Sequence, residues 1–559
     1  MEAVTRSSRA EANGRNRGTP VQSDASTPLD FARGEREWVW RYSPLIGLVI
    51  GLLSAFAFEP VGWWPLMPLA FAGLCELVSR QPSLWRALLT GWAFGLGQFV
   101  LGLNWIATSF TYQAAMPAWL GWVAVVLLSF YLAVYPAMAA GLAWRFGRAS
   151  RTGLALALAG GWAVTEYLRA LVFTGFAWNP VGVALADTPW LNTAKFIGTY
   201  GLSALVVLLG GAVWLLVGRR WRTAGAVAAA ALLLLALPPA RDRALPSVAG
   251  PAPAVNPVDR PAIRIVQPNI GQEDKWREGL GEEAYYRLGR LSAGGAPPPR
   301  LLFWPEVAIP EAFQILDRQN RPVPALLPAI PRAVQSLRSG DLLLTGAFAL
   351  IADPSGTIAG NTNSVFAVDP AGRTLGRYDK AHLVPYGEYL PMRPLLSAIG
   401  LSQLAPGIGD TIPGPGPRSI DLGAFGKMGV QVCYEIIFSG QVVDGRDRPK
   451  FIFNPSNDAW FGRWGPPQHF AQARLRAAEE GLPVIRSTPT GISGVIDARG
   501  QVLSSLPWRQ AGVIDTTLPP PAEPTPFARW GNLLPMLLAF AMLLTAVVLD
   551  GRRRYRRAI

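Results

Sequence analysis

The chain has 559 residues, with 51 Lys and Arg against 37 Asp and Glu, so its formal charge is +14; half of it is hydrophobic and 16% is charged. A disordered basic chain is excluded, because 21 Trp and 24 Phe supply far more apolar surface than such a chain carries. Two Cys cannot build a disulfide framework, and two His argue against a His-rich metal site.

Residues 1–43 are rich in Ser, Gly and Arg, contain few apolar side chains, and read as a disordered arm. Apolar segments of spanning length follow at 44–59, 62–79, 87–110, 118–144, 152–171, 199–217 and 223–238, and an eighth lies at 532–549. The first two are short and could instead form one re-entrant hairpin around Glu59-Pro60. No small-residue cleavage site follows the first segment where a signal peptide would need one, so it reads as retained. Gly47 with Gly51, and Gly91 with Gly95, are spaced for close helix contact. Among the ionisable residues in these segments are Glu76, Glu166 and Arg169.

The basic residues fall in alternate connections. Arg80 and Arg86 flank the second, Arg145, Arg148 and Arg151 fill the fourth, and Arg219, Arg220 and Arg222 the sixth. The first and third have no Lys or Arg, and the fifth has only Lys195. This positive-inside pattern predicts that both termini, including the tail from Arg552 to Arg557, lie in the cytoplasm. The polar region after the seventh segment would then face the periplasm of a bacterial inner membrane.

A Pro/Ala-rich linker at 239–260 separates the apolar region 44–238 from a polar domain at 261–520, and residues 521–559 return the chain to the membrane and a basic tail. The polar domain holds 25 basic and 23 acidic residues, so nearly all of the net charge lies outside it. It has no basic stripe with interleaved aromatics, which argues against nucleic-acid binding. Short β-branched apolar runs at 262–267, 301–304, 342–348, 364–368, 428–433, 451–454 and 483–487, with helical stretches at 281–292 and 467–480, predict an α/β layered fold. Chemistry in such sheets gathers at strand ends.

Cys433 follows the strand-like run MGVQV. A Cys there is ordinarily a small buried hydrophobe. An unpaired thiol in an oxidising compartment is a liability, however, and the only possible partner, Cys75, sits in an apolar segment near the opposite face. Glu306 ends LLFWPE, and Lys380, one of only five Lys, lies in RYDKAHLVPYGEYLP. A thiol nucleophile, a carboxylate to take its proton and an ammonium to hold an oxyanion suffice for acyl transfer.

The motifs WPE, DKAHLVPYGE and VCYE, in this order, resemble those of the carbon–nitrogen hydrolase (nitrilase) superfamily. With about eight spans, VQPNIGQEDKW, NDAWFG and QHFAQARLRAAEEGLPVIRST, the pattern resembles the bacterial apolipoprotein N-acyltransferase family over nearly all of the chain beyond residue 43. The resemblance implies a multi-pass α-helical membrane domain joined to a nitrilase-like αββα sandwich. It implies Glu306 as general base, Lys380 as oxyanion stabiliser and Cys433 as nucleophile, with Glu388, Trp276, Tyr434 and Glu435 supporting activity or substrate binding. Without it, Trp276 and Trp460 read as packing anchors and Tyr434-Glu435 as a strand end. The segment RSTPTGIS (486–493) departs from the family, which often has Asn at the position of Pro489 or Thr490.

The implied reaction moves a fatty acyl chain from a phospholipid donor, phosphatidylethanolamine above all, through a Cys433 thioester to the α-amine of a diacylglyceryl-cysteine on an apolipoprotein acceptor. No metal or other cofactor is expected. The apolar segment 383–407 would be an arm dipping into the membrane. Two rivals remain at this level: a membrane-tethered amidase acting on a small substrate, and a transporter with a periplasmic binding domain.

Overall fold

The computed structural model of the protein describes residues 28–112, 117–242, 260–272, 280–398 and 411–559. Helix Pro28–Ser54 begins well inside the expected arm. Once the apolar stretch is helical, each further residue adds a backbone bond without a new nucleus, so the helix extends back through the polar residues before it. The rest of the arm, and most of the expected linker, lie outside the described residues.

Every apolar segment expected to span coincides with a helix or a pair of helices, but few qualify by length and composition. Among the described residues three do: Leu120–Gly147, Pro189–Val217 and Leu533–Arg556. A fourth arises if Leu84–Gly102 and Ile106–Tyr112, bent by 49°, form one span. The helical stretches at Arg41–Ala57, Leu66–Ser79 and Trp221–Leu233 are apolar but shorter. The small residues act as expected at their crossings. A Cβ on Gly51 would run into the Phe94 carbonyl, and one on Gly91 would lie 2.6 Å from the Pro136 carbonyl, so both glycines let backbones touch.

The polar domain is two stacked sheets. The first contains β1 (Ala262–Gln267), β2 (Arg300–Phe303), β3 (Ala312–Leu316), β4 (Pro322–Val323), β5 (Asp341–Ala352), β6 (Ile358–Val368) and β7 (Thr374–Asp379). The second runs through β8 (Ser419–Asp421), β9 (Lys427–Val430), β10 (Phe451–Pro455), β11 (Val484–Ser487), β12 (Ser493–Ile496) and β13 (Val502–Leu506). The chain then returns as β14 (Gly512–Thr517) to the edge of the first sheet, antiparallel to β1. Strands β1, β2 and β5 are parallel, as are β9, β10 and β11.

Period-two alternation divides the side chains between layers. Leu301, Phe303, Leu342 and Leu344 turn inward onto Val430, Phe451 and Phe453 of the second sheet. Leu302, Trp304 and Leu343 turn outward and pack with Ala284 and Leu288 of helix Leu280–Ser292. The Phe303 ring lies 5.0 Å from that of Phe453, across the two sheets. Arg300 and Asp341, both buried, form a two-armed ion pair (2.9 and 3.1 Å) that joins the starts of β2 and β5.

The outer layer of the second sheet is helix Gly465–Glu480, and it positions the site. Its Ala473 and Ala477, four residues apart, bury against the sheet. Ala471, Leu475 and Ala478 bury in the core formed by the apolar helices. One helix therefore serves both cores and locks the polar domain onto the end of the helical bundle. Helix Ala194–Val217 is broken at Gly198 (φ 59°), against which the Phe527 ring packs. The Thr199 N–H exposed by this break donates to Glu479 Oε1 at 2.6 Å, an anionic cap on a helix N-terminus.

Candidate active site

Glu306 follows the end of β2 and is held by backbone bonds to the neighbouring strand. Trp304 N–H donates to Leu344 O (2.9 Å), Gly346 N–H to Pro305 O (3.2 Å) and Ala308 N–H to Gly346 O (3.0 Å). Pro305 lacks a donor, so regular pairing stops there and the carboxylate projects from the strand end. Lys380 comes one residue after β7, with its N–H bonded to Asn363 O of β6 (2.9 Å). Its ammonium Nζ lies 3.4 Å from Glu306 Oε1 and 3.0 Å from the Glu388 carboxylate.

Asn363 ties this group together. Its Nδ2 donates to Glu306 Oε1 at 2.7 Å and to Glu388 Oε1 at 3.0 Å. Val384 N–H donates to the other Glu388 oxygen at 2.9 Å, closing a turn across the DKAHLVPYGE motif. Burial alone would push the Lys380 ammonium down, but the Glu388 and Glu306 carboxylates, aided by Cys433, hold it above its ordinary value. Lys380 is thus a buried ammonium facing two carboxylates.

Cys433 stands at the opening of a 3₁₀ turn, Cys433–Ile437, shortly after β9. Its φ is 51°, in the left-handed region that a non-glycine residue enters only at a cost of about 1–3 kcal/mol. Burial pushes its thiol up, Glu306 adds to the rise, and Lys380 and the Asn457 N–H oppose it, leaving it well above the usual thiol range. A resting neutral thiol beside a carboxylate suits a nucleophile that is deprotonated only as it attacks.

Glu435 braces the loop carrying Cys433 against the loop carrying Lys380. Oε1 accepts from Ala381 N–H (2.7 Å), His382 N–H (3.1 Å) and the Tyr378 hydroxyl (2.9 Å), and Oε2 accepts from Val432 N–H (2.7 Å). Burial nevertheless raises its carboxyl to about 7. Tyr434 is buried toward the helical bundle, with its hydroxyl 3.4 Å from Gly175 O. The His382 ring stacks on Phe438 (3.9 Å) and its Nε2 lies 2.8 Å from Thr174 O. Trp276 lies outside the described residues. Of the expected apolar arm 383–407, residues 383–398 are described: Leu383 and Leu390 are buried, while Tyr386, Met392 and Leu395 are exposed.

Sequence reasoning missed several members of this neighbourhood. Asn363 lies inside a strand with no motif around it. Asp458, His469 and Arg486 form a fully buried cluster behind Cys433. The QHFAQAR and NDAWF motifs drew attention to the first two without saying what they touch. At the Pro489-Thr490 departure, Pro489 O accepts from Asn269 N–H and Thr490 O from Arg509 N–H, both at 2.8 Å.

The chain matches two family models in sequence order. Residues 50–212 match the apolipoprotein N-acyltransferase N-terminal domain, and residues 263–523 match carbon-nitrogen hydrolase. It is 35% identical to the apolipoprotein N-acyltransferase of Rhodopseudomonas palustris, covering 92% of this chain and 96% of that one. The protein of that name from Rhizobium rhizogenes is 34% identical over 86% and 91% of the two chains. The one from Bradyrhizobium diazoefficiens is 35% identical over 92% and 96%. Similarity at this level along almost the full length of both partners, with the two matched regions in the same order, means that the chain belongs to the apolipoprotein N-acyltransferase family.

Proposed function

We propose that this enzyme transfers a fatty acyl chain from a membrane phospholipid to the N-terminal α-amine of a diacylglyceryl apolipoprotein, with Glu306, Lys380 and Cys433 as the reacting groups. The observation that carries this reading is the buried Lys380 ammonium, 3.4 Å from Glu306 and 3.0 Å from Glu388, whose charge reaches the Cys433 thiol. In the first step Glu306 takes the Cys433 proton, the sulfur attacks the ester carbonyl, and Lys380 stabilises the oxyanion. The C–O bond breaks, the proton passes to the leaving oxygen, and a lysophospholipid departs from a Cys433 thioester. In the second step Glu306 takes a proton from the incoming ammonium and the amine nitrogen attacks the thioester. The C–S bond breaks, the proton held by Glu306 passes to sulfur, and the nitrogen releases its second surplus proton to solvent as the amide forms. Glu388 and Asn363 orient Lys380 and Glu306, and Glu435 sets the spacing of their loops. Phosphatidylethanolamine is the proposed donor, with its sn-1 ester as the reacting bond.

The site adjoins the helical bundle through the loop after helix Arg151–Arg169, where Leu171, Val172 and Phe173 are exposed. Side chains of this kind, together with the exposed Tyr386, Met392 and Leu395, favour entry of a lipid from the bilayer. Contacts at the two ends of the bundle support one orientation. At one end, Trp144 Nε1 donates to Gln81 O (2.9 Å) and Ala149 N–H to Asp550 Oδ1 (2.6 Å), so three Arg-bearing stretches meet. At the other end, Gln468 of the polar domain accepts from Trp178 Nε1 (2.8 Å) and donates to Glu59 O (3.0 Å). With the Arg-rich end in the cytoplasm, about eight spans hold the domain 261–520 in the periplasm.

Incubating the purified enzyme with radiolabelled phosphatidylethanolamine is expected to place label on Cys433 as a hydroxylamine-sensitive thioester. Cys433→Ala is expected to lose both the label and transfer to a diacylglyceryl peptide. Transfer by that variant at the rate of the unsubstituted enzyme overturns the assignment.

A further inference from the structure

Behind Cys433 lies a set of buried ionisable side chains that the reaction above does not use. His469, on helix Gly465–Glu480, is fully buried, and its Nε2 lies 3.0 Å from the Cys433 carbonyl oxygen. That oxygen only accepts, so Nε2 carries the proton. Nδ1 lies 3.0 Å from both Arg486 Nη2 and Asp458 Oδ1. Arg486 Nη2 also bonds both Asp458 oxygens, at 2.8 and 2.7 Å, and Arg486 Nη1 reaches Ser456 Oγ at 2.9 Å and Asn454 Oδ1. One carboxylate and one guanidinium balance each other, which leaves the imidazole neutral. Burial and the Arg486 charge together hold it below its ordinary value.

This arrangement grips the nucleophile from two sides. His469 holds the carbonyl of Cys433, whose φ of 51° puts it in a region that side-chain-bearing residues rarely occupy. Asp458 directly follows Asn457, whose N–H counters the rise of the Cys433 thiol. The imidazole is clamped between the Trp178 ring of the helical bundle (5.2 Å) and Phe461 (5.6 Å), so its own orientation is fixed by packing. An interaction that pins the strained Cys433 peptide through an imidazole which is itself held by packing and by Arg486 does more than fill space.

We propose that His469, whose Nδ1 accepts from an Arg486 N–H group that Asp458 holds in place, is a positioning residue that holds the Cys433 backbone so that its thiol faces Glu306 and Lys380. The inference rests on Cys433 being the acylated residue. Without the imidazole donor the peptide relaxes toward negative φ and the sulfur swings away from its partners.

The test uses the full chain in mixed micelles of detergent and phosphatidylethanolamine, with the Cys433 thioester followed by mass spectrometry. His469→Met keeps the length and apolar bulk but removes the donor. His469→Gln keeps an N–H₂ able to reach the same carbonyl. The Met variant is expected to acylate Cys433 about 100-fold more slowly, as a misplacement on the order of 1 Å does, while KM for the phospholipid stays within about twofold. The Gln variant is expected to recover to within about tenfold of the unsubstituted enzyme. Equal loss in both variants, or no loss in either, overturns the proposal. If the Met variant does not fold, a loss of about 100-fold or more in a folded Gln variant overturns it. Failure of the parent reading looks different: the unsubstituted enzyme then transfers acyl chains while Cys433 stays unmodified.

Discussion

Cys433 and Lys380 are each held in an electrostatic state that their neighbours dictate, and this makes a prediction with a sign. Burial raises the thiol first and the Glu306 carboxylate raises it further, while Lys380 pulls it down. Alkylation of Cys433 by iodoacetamide, measured against pH, is therefore expected to keep climbing beyond the usual thiol range without a plateau near neutrality. In Glu306→Gln one raising influence is gone and Lys380 keeps its charge, so the midpoint is expected to move to lower pH even as acyl transfer is lost. A midpoint that stays in place or rises would show that Glu306 does not act on the sulfur. The residues of this group were legible in the sequence because WPE, DKAHLVPYGE and VCYE are contiguous motifs. Asn363 was not, since an Asn in the middle of a strand looks like any other polar strand residue. It earns its place only because β6 pairs antiparallel with both β5 and β7, which brings it to Glu306, 57 residues away in sequence.

Strands and turns set the distances among those groups, and β5 crosses close beneath the Glu306 loop. A Cβ on Gly346 would lie 2.6 Å from Val307 N and 2.7 Å from Glu306 Cα, against backbone that cannot swing aside. Gly346→Ala is therefore expected to displace Glu306 and slow thioester formation on Cys433 by on the order of 10–100-fold, read by the same labelling assay. A full acylation rate in this variant would mean that the Glu306 loop tolerates movement. At the scale of elements, the apolar runs marked β1, β2, β5, β6, β9, β10 and β11, and the two helical stretches that carry the outer layers. Among the strands that escaped, β3, β4, β8 and β13 are short or half exposed, so neither a continuous apolar run nor a clean alternation marks them. The helical bundle shows the opposite difficulty. Its segments are apolar enough to see, but several are broken or short, as where Gly198 interrupts Ala194–Val217 to meet Glu479 and Phe527.

For the whole molecule, the meaning of the +14 charge is its distribution. The polar domain is nearly neutral, and the Arg residues cluster on connections that the structure gathers at the end of the bundle away from it. Alkaline phosphatase, active only when exported, is expected to be active when fused after Pro520 and inactive when fused after Ile559. The reverse pattern would invert the proposed orientation. The two ends of the molecule are linked mechanically as well. Helix Gly465–Glu480 shares its faces between the sheet and the bundle, and Trp178 from the bundle touches both Gln468 and His469.

By itself the sequence determined the order of apolar and polar regions, the alternation of the basic connections, and the identity of the motif residues. Hydropathy, charge and contiguous motifs are local properties, and a chain displays them whether or not it is folded. Only the tertiary structure decided that Asn363 bridges two glutamates, that Glu435 staples two loops, and that His469 stands behind Cys433. The last contact joins residues 36 apart. Such partners are chosen by strand order and helix packing, and a hydrogen bond or a buried ion pair depends on positions to within a fraction of an ångström. The placement of the site against the bundle belongs to the same class, since it follows from two hydrophobic cores meeting on opposite faces of one helix.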